Sequence, residues 1–334
     1  MTTSAPLCPA CGRSLPLETL DRVEKYRDEI DGRDYELIRC SACRVVFTEP
    51  RVPASPDWYA RAYALGFIER APVDAEGWRL RVFRSNRLPA GRLFDVGCGD
   101  GGFLKAASDL GFKASGFDFD PNATAKARAL GLDAATGDFD SFFADARLHG
   151  AFDVVTLFDV VEHVPEPAAL LTRAKKLVKA GGHMVVTMPD ERRPHFGERE
   201  RLDYPPNHFT RWRPEALRSF LERHGLKVLM MTSAPIDARY LSGQAFYGFL
   251  MPLCLPWLKH FIPSRTPSSP VSNSSEVSSS VPSADQGLRA RLVEASFLLF
   301  RALSFPFAWP ASLGYRLTGC GNTLYALVRV PSGR

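Results

Sequence analysis

The chain has 334 residues, 45% of them hydrophobic and 24% charged, with a formal net charge of +5. That balance describes one large folded domain with additions, or two modest ones, and it excludes a disordered chain and a strongly basic polyelectrolyte built for nucleic acid. The N-terminus, MTTSAPLCPACG, has no basic segment leading into an apolar one, so no signal peptide is expected; a cytoplasmic location with reduced thiols is predicted.

Residues 1–50 read as a small zinc-ribbon-like domain. Two C-x-x-C pairs, Cys8/Cys11 and Cys40/Cys43, flank a charged middle, with YELIRC and RVVFTE as short strands. Four soft thiolates on two tight knuckles suit tetrahedral Zn²⁺, and the 28 intervening residues make a long but closable hairpin. Residues 51–88, aromatic and Arg-rich, read as helices covering the next domain.

From Arg92 strands and helices alternate. RLFDVG is a strand and GGFLKAASDLG a helix stopped by Gly111; FKASGFDFD is a strand. DPNATAKARALG is a helix with Asp120 as N-cap, Pro121 at its first position and Gly131 as its stop. After a presumed third strand come the strand AFDVVTLFDV, the helix EPAALLTRAKKLVKAGG, the strand HMVVTMP, the helix RPEALRSFLERHG and the strands LKVLMMTS and TLYALVRV. The expected fold class is α/β: a doubly wound, mainly parallel seven-stranded sheet with an antiparallel last strand, spanning 89–233 and 322–334.

Residues 234–321 are expected to be an apolar insertion. Between Pro263 and Ser283 lie ten serines and four prolines, so 263–286 reads as a disordered linker. The flanking segments 240–262 and 297–313 are aromatic but broken by prolines, which predicts an interfacial cap in peripheral contact with the inner membrane face, or with a lipid-like acceptor, rather than a spanning helix.

The stretch LFDVGCGDGG can be spelled two ways. Gly97, Gly99 and Gly102 make G-x-G-x-x-G, a dinucleotide-binding turn; Gly97, Gly99 and Gly101 make G-x-G-x-G with Asp95 ahead of it. Asp118 ends the next strand, where a carboxylate accepts from ribose hydroxyls in either case. Three acidic features separate the readings: Asp95 before the glycines, Asp138 in the turn after the third strand, and Asp159, Glu162 and His163 after the fourth. An acidic rim attracts a sulfonium and repels a diphosphate.

With these motifs in the order LFDVGCGDGG, GFDFD, GDF, FDVVTLFDVVEHV, GGHMVVTMP, the chain resembles the class I S-adenosylmethionine-dependent methyltransferases over roughly residues 90–233 plus the last strand. The resemblance implies S-adenosyl-L-methionine as cofactor, held by Asp95, Gly97, Cys98, Gly99, Gly101, Asp118, Phe119, Asp138, Phe139, Phe158 and Asp159. His163 and His208 are the expected catalytic bases for an oxygen or carbon acceptor. A metal-binding pattern found in some ubiquinone-type O-methyltransferases adds Mg²⁺ or Mn²⁺ at Asp159, Glu162 and His163, with Asp in place of the first Glu. The expected acceptor is small or lipid-linked (a glycan, polyol or quinone-like molecule). The alternatives are an RNA methyltransferase that reads its substrate with the zinc ribbon, disfavoured because the basic stretches are diluted by acids, and a non-catalytic cofactor-binding adaptor.

Overall fold

A computed structural model describes residues 5–65, 77–137, 139–194, 203–236, 238, 241–242, 308–315, 317–318 and 320–332. Asp138, the linker 263–286 and nearly all of 240–262 and 297–313 lie outside these residues. The chain divides into two compact units, one comprising Met1–Arg193, Glu200–Ala234 and Gly321–Arg334, the other Pro194–Arg199 and Pro235–Cys320.

In the first unit, three N-terminal strands form an antiparallel sheet: β1 (Asp21–Arg27), β2 (Asp34–Arg39) and β3 (Val46–Glu49). The sequence marks β2 and β3 but hides β1, which carries five charged residues in seven and is largely exposed. Such charge blunts an edge strand against unwanted pairing. Two helices follow, α1 (Pro56–Ala64) and α2 (Trp78–Ser85).

The doubly wound part then runs β4 (Arg92–Val96), α3 (Gly102–Asp109), β5 (Lys113–Asp118), α4 (Pro121–Ala129), β6 (Asp133–Thr136), α5 (Phe139–Ala144), β7 (Phe152–Phe158), α6 (Pro167–Leu177), β8 (Val178–Pro189), β9 (Thr210–Arg211), α7 (Pro214–Arg223), β10 (Lys227–Pro235) and β11 (Gly321–Arg329). Seven of these strands form one sheet in the order β10-β11-β8-β7-β4-β5-β6. β4, β5, β6, β7 and β8 pair in parallel, and β11 pairs antiparallel with β8. The expected fold class holds.

Local chemistry explains the helix ends. The Asp120 side chain accepts from the Asn122 N–H at 2.8 Å with Pro121 at the first helical position, while Gly111 and Gly131 take positive φ just past α3 and α4. One boundary differs from expectation: the stretch VKAGG extends β8 rather than α6. Val178 already pairs with Phe152, and the register slips before Val154, so the irregular start of the strand consumes the residues that helical periodicity had claimed.

Period-two alternation places the core on both sheet faces. Phe94 and Val96 of β4 join Phe117, Phe152, Leu157, Leu171 and Phe220 on one side. Leu93 joins Leu80, Phe83, Phe103, Val154 and Tyr325 on the other. Each fully buried apolar side chain of this kind contributes about 1.5–3 kcal/mol, so α2 is held to the sheet chiefly by Leu80 and Phe83.

Candidate active site

In an open parallel sheet, ligands bind beyond the carboxyl ends of the strands, where the strand order reverses. Here that point lies at β4, between β5 and β7. The loop leaving β4 is fastened from beneath. The N–H groups of Gly97 and Cys98 both donate to the Phe117 carbonyl, at 2.7 and 2.9 Å, and the Gly99 N–H donates to Asp118 Oδ2 at 2.9 Å. Gly101, at φ +86°, backs against α4, and a Cβ there would stand 2.6 Å from Leu132 Cδ1. Gly99, at φ +54°, has open space where a Cβ would project. The loop is therefore packed on one side and leaves room for a ligand on the other.

Asp118 ends β5 with both oxygens engaged by backbone, Oδ1 accepting from the Asp120 N–H at 2.9 Å. A carboxylate oxygen accepts more than one hydrogen bond, so the group fits a ribose diol as well. Phe119, next in the chain, is 57% exposed and faces Tyr59 of α1 with ring centroids 6.0 Å apart. Asp95 is 2% exposed and accepts from the Thr156 hydroxyl. Burial pushes its carboxyl up to about 7, against the lowering effects of Thr156 and Arg79.

The remaining cofactor residues predicted from sequence are spread over different environments. The Cys98 side chain packs with Leu104, Ala127 and Ala134, and burial raises its thiol well above the usual range. Phe139 packs on Phe117 and Phe143. Phe158 lies in the core against Phe103, with the Arg79 guanidinium 5.1 Å from its ring centroid. Asp159 adopts φ +54°; one oxygen accepts from the Thr187 hydroxyl at 2.9 Å and the other pairs with Arg79.

That pairing corrects the expected metal set. Asp159, Glu162 and His163 do not converge, because Arg79 and Thr187 occupy the Asp159 carboxylate. Glu162, His163 and His208 converge instead, their donor atoms all within 4.8 Å of one another. His163 and His208 stand edge to face, 4.5 Å between centroids. The His163 Nδ1–H donates to the Asn207 carbonyl at 2.8 Å, so Nε2 is its available nitrogen. His208 Nδ1 lies 3.4 Å from Asp203 Oδ1, which also pairs with Arg193.

Glu162 is 1% exposed, and neither of its oxygens has a hydrogen-bond partner among the described residues. Burial, reinforced by Asp159, raises its carboxyl well above the ordinary value. Burial, reinforced by His208, lowers His163 to about 3. An orphaned buried carboxylate beside two imidazoles anchored through their other nitrogens fits a divalent cation.

The four cysteines also meet. Cys8 and Cys43 Sγ are 3.5 Å apart, and Cys11 and Cys40 Sγ 3.7 Å. A tetrahedron with Zn–S bonds of about 2.3 Å has edges of about 3.8 Å, so the set fits Zn²⁺. The two knuckles match: Gly12 and Arg44 each donate N–H to the first cysteine of their pair, at 2.8 and 2.9 Å, and both have positive φ.

Sequence reasoning missed Arg79, Asp203, Thr156 and Thr187. An Arg in an Arg-rich helix and two threonines in apolar strands carry no motif, and their relevance comes from partners 28 to 80 residues away or, for Asp203, from a loop neighbour.

A glycine loop at the switch point, a carboxylate ending the next strand and acids beyond the fourth define a nucleoside-cofactor-binding α/β domain. Residues 67–230 match the family model described as a methyltransferase domain. That stretch is a methyltransferase domain, and the sheet around it has the Rossmann-like fold of S-adenosylmethionine-dependent methyltransferases. It is similar to the ubiquinone biosynthesis O-methyltransferase of Burkholderia thailandensis, 36% identical over 99 residues, which are 28% of this chain and 43% of the relative. The protein of the same name from Ralstonia nicotianae is 37% identical over 111 residues, 32% of this chain and 47% of the relative. The matches thus span less than half the length of these relatives. A SAM-dependent methyltransferase from Archaeoglobus fulgidus aligns with TM-score 0.45 and 16% identity, covering 75% of this chain and 91% of that one. No helix among the described residues is long and apolar enough to cross a membrane.

Proposed function

We propose that the chain is an S-adenosylmethionine-dependent O-methyltransferase acting on a small, quinone-like acceptor with adjacent ring oxygens. The observation that carries this reading is the Glu162–His163–His208 donor cluster, on the loops leaving the carboxyl ends of β7 and β8, the same sheet edge as the glycine loop. The names of the curated relatives point the same way.

When bound, the cofactor supplies an electrophilic methyl on a sulfonium. The chain's work is to align an acceptor oxygen, exclude water and manage one proton. In this reading Gly99 lets the cofactor reach the backbone while Gly101 lets the loop pack on α4; Asp118 accepts from the ribose, and Phe119 and Phe139 flank the base, with Asp138 as the adenine acceptor. Asp95 and Asp159 supply the negative rim, and Arg79 offers a guanidinium to the carboxylate of the amino-acid end. Where no cation occupies the cluster, His208, backed by Asp203 at Nδ1, accepts the acceptor's hydroxyl proton through Nε2. His163, held neutral by burial, serves as a fixed lone pair.

The donor set of one carboxylate and two imidazoles suits Mn²⁺, Zn²⁺ or Fe²⁺ better than Mg²⁺, which prefers oxygen. A cation held there would lower the pKa of a bound hydroxyl. In the same reading Cys8, Cys11, Cys40 and Cys43 hold a structural Zn²⁺. The segments 240–262 and 297–313 touch a lipid surface, a role supported by Trp309 and Leu313, both exposed and four residues apart.

The test is incubation of the full chain with S-adenosylmethionine and a panel of catechols and polyprenyl catechols, followed by mass spectrometry. The expected product is a mono-O-methyl ether with stoichiometric S-adenosylhomocysteine. Methylation of RNA alone would overturn the reading.

A further inference from the structure

His208 sits on a loop that the N-terminal sheet holds from outside. β3 begins three residues after Cys43, and its far edge is taken by β9, with Val46 opposite Arg211 and Phe47 opposite Thr210. The Thr48 N–H donates to the Phe209 carbonyl at 3.0 Å, and the Phe209 N–H donates to the Glu162 carbonyl at 2.7 Å. Two hydrogen bonds across one residue therefore join β3 to the backbone of Glu162. The first strand of this sheet reaches the same loop. The Tyr204 hydroxyl donates to Glu24 of β1 at 2.5 Å, and Arg211 reaches the second oxygen of that carboxylate at 3.3 Å. The Tyr204 ring stacks on Tyr26 with centroids 4.2 Å apart. Arg51, just beyond β3, donates to the Leu7 carbonyl beside Cys8 and reaches Glu166 at 3.3 Å.

The edge of β3 pairs with the chain's own histidine loop. The loop is also tied within its own domain, by the Asn207 carbonyl to His163 and by Asp203 to Arg193, and the sheet adds the ties at Thr48, Glu24 and Tyr26.

We propose that the four-cysteine sheet is the positioning platform of His208, with Glu24 as a positioning residue. Zn²⁺ held by Cys8, Cys11, Cys40 and Cys43 thereby sets the affinity of Glu162, His163 and His208 for a divalent cation. The inference rests on the metal assignments of the proposed function. Its physical basis is preorganisation. With the thiolates uncrosslinked the knuckles open, β3 loses its anchored start and β9 its template, and the three donors converge in a smaller fraction of molecules. Apparent affinity falls by that fraction.

The experiment uses the full chain, with Mn²⁺ as probe followed by electron paramagnetic resonance, zinc content by metal analysis, S-adenosylhomocysteine affinity by calorimetry and amide hydrogen exchange by mass spectrometry. Glu24→Ala, on an exposed hairpin, removes both side-chain ties without touching a cysteine or a donor. The expected result is at least a fivefold weaker Mn²⁺ affinity and faster exchange across 203–211, with zinc content and S-adenosylhomocysteine affinity unchanged. Glu24→Gln, which keeps an acceptor for Tyr204, should recover part of the loss. Zinc-stripped wild type should lose more, with exchange spreading to Thr48 and Phe209 while α3 stays protected. Unchanged exchange across 203–211 in both Glu24→Ala and the zinc-stripped protein would overturn the platform. A wild type that binds no Mn²⁺ removes the cation part of the proposal, and one that binds no S-adenosylhomocysteine removes the methyltransferase reading; exchange across 203–211 judges the platform in either event.

Discussion

The Gly99 N–H donates to Asp118 Oδ2 at 2.9 Å, tying the glycine loop after β4 to the last residue of β5. One carboxylate thus fixes the backbone that approaches a cofactor and stands ready for that cofactor's hydroxyls. Asp118→Ala should weaken S-adenosylmethionine binding by roughly 2–3 kcal/mol, about 30- to 150-fold, through lost charge-assisted hydrogen bonds and a loosened loop. Isothermal calorimetry measures it; unchanged affinity would remove Asp118 from the cofactor site.

Asp95 predicts a pH dependence. Its folded carboxyl is raised to about 7, against about 4 in an unfolded chain. The native state therefore binds this proton more tightly than the unfolded state. Its contribution to stability is full below about pH 4 and is lost as the pH rises to 7. Ionised Asp95 attracts a sulfonium, so S-adenosylmethionine affinity should rise between pH 6 and 8. The neutral thioether S-adenosylhomocysteine should respond less, and Asp95→Asn should flatten the difference. Equal pH slopes for the two ligands would count against Asp95 as part of the acidic rim.

Arg79 separates the two ends of the cofactor. Arg79→Ala should weaken S-adenosylhomocysteine by about tenfold or more, the worth of one charge-assisted contact, while methylthioadenosine, which lacks the amino-acid end, should bind almost as before. Equal losses for both ligands would show that Arg79 acts only by holding Asp159 and α2.

Glu162 makes a prediction of opposite sign with and without metal. In chelated protein, Glu162→Gln replaces a buried group whose charged form is disfavoured, so the melting temperature should hold or rise. With Mn²⁺ present, wild type should gain several degrees and Glu162→Gln should gain none. Scanning calorimetry in chelator and in Mn²⁺ decides it, and a metal-induced shift that survives the substitution would move the cation elsewhere.

Most of the fold could be read from residues close in sequence. The alternation of Leu93 and Phe94 between the two sheet faces, the Asp120–Pro121 start of α4 and the Gly111 and Gly131 stops depend on contacts within one turn or one strand, so the sequence alone determined them. The same holds for the glycine loop and for the two cysteine knuckles, whose spacing already dictates the close turns. Tertiary structure decided which side chains meet across the chain. Asp159 and Glu162 are three residues apart, yet Arg79 captures the first while the second joins His208, 46 positions on. β1 and β9 have no apolar period of their own and exist as strands because β2 and β3 offer them an edge. These outcomes depend on which distant group reaches a carboxylate or an open N–H first, a competition among long-range partners that no local pattern encodes.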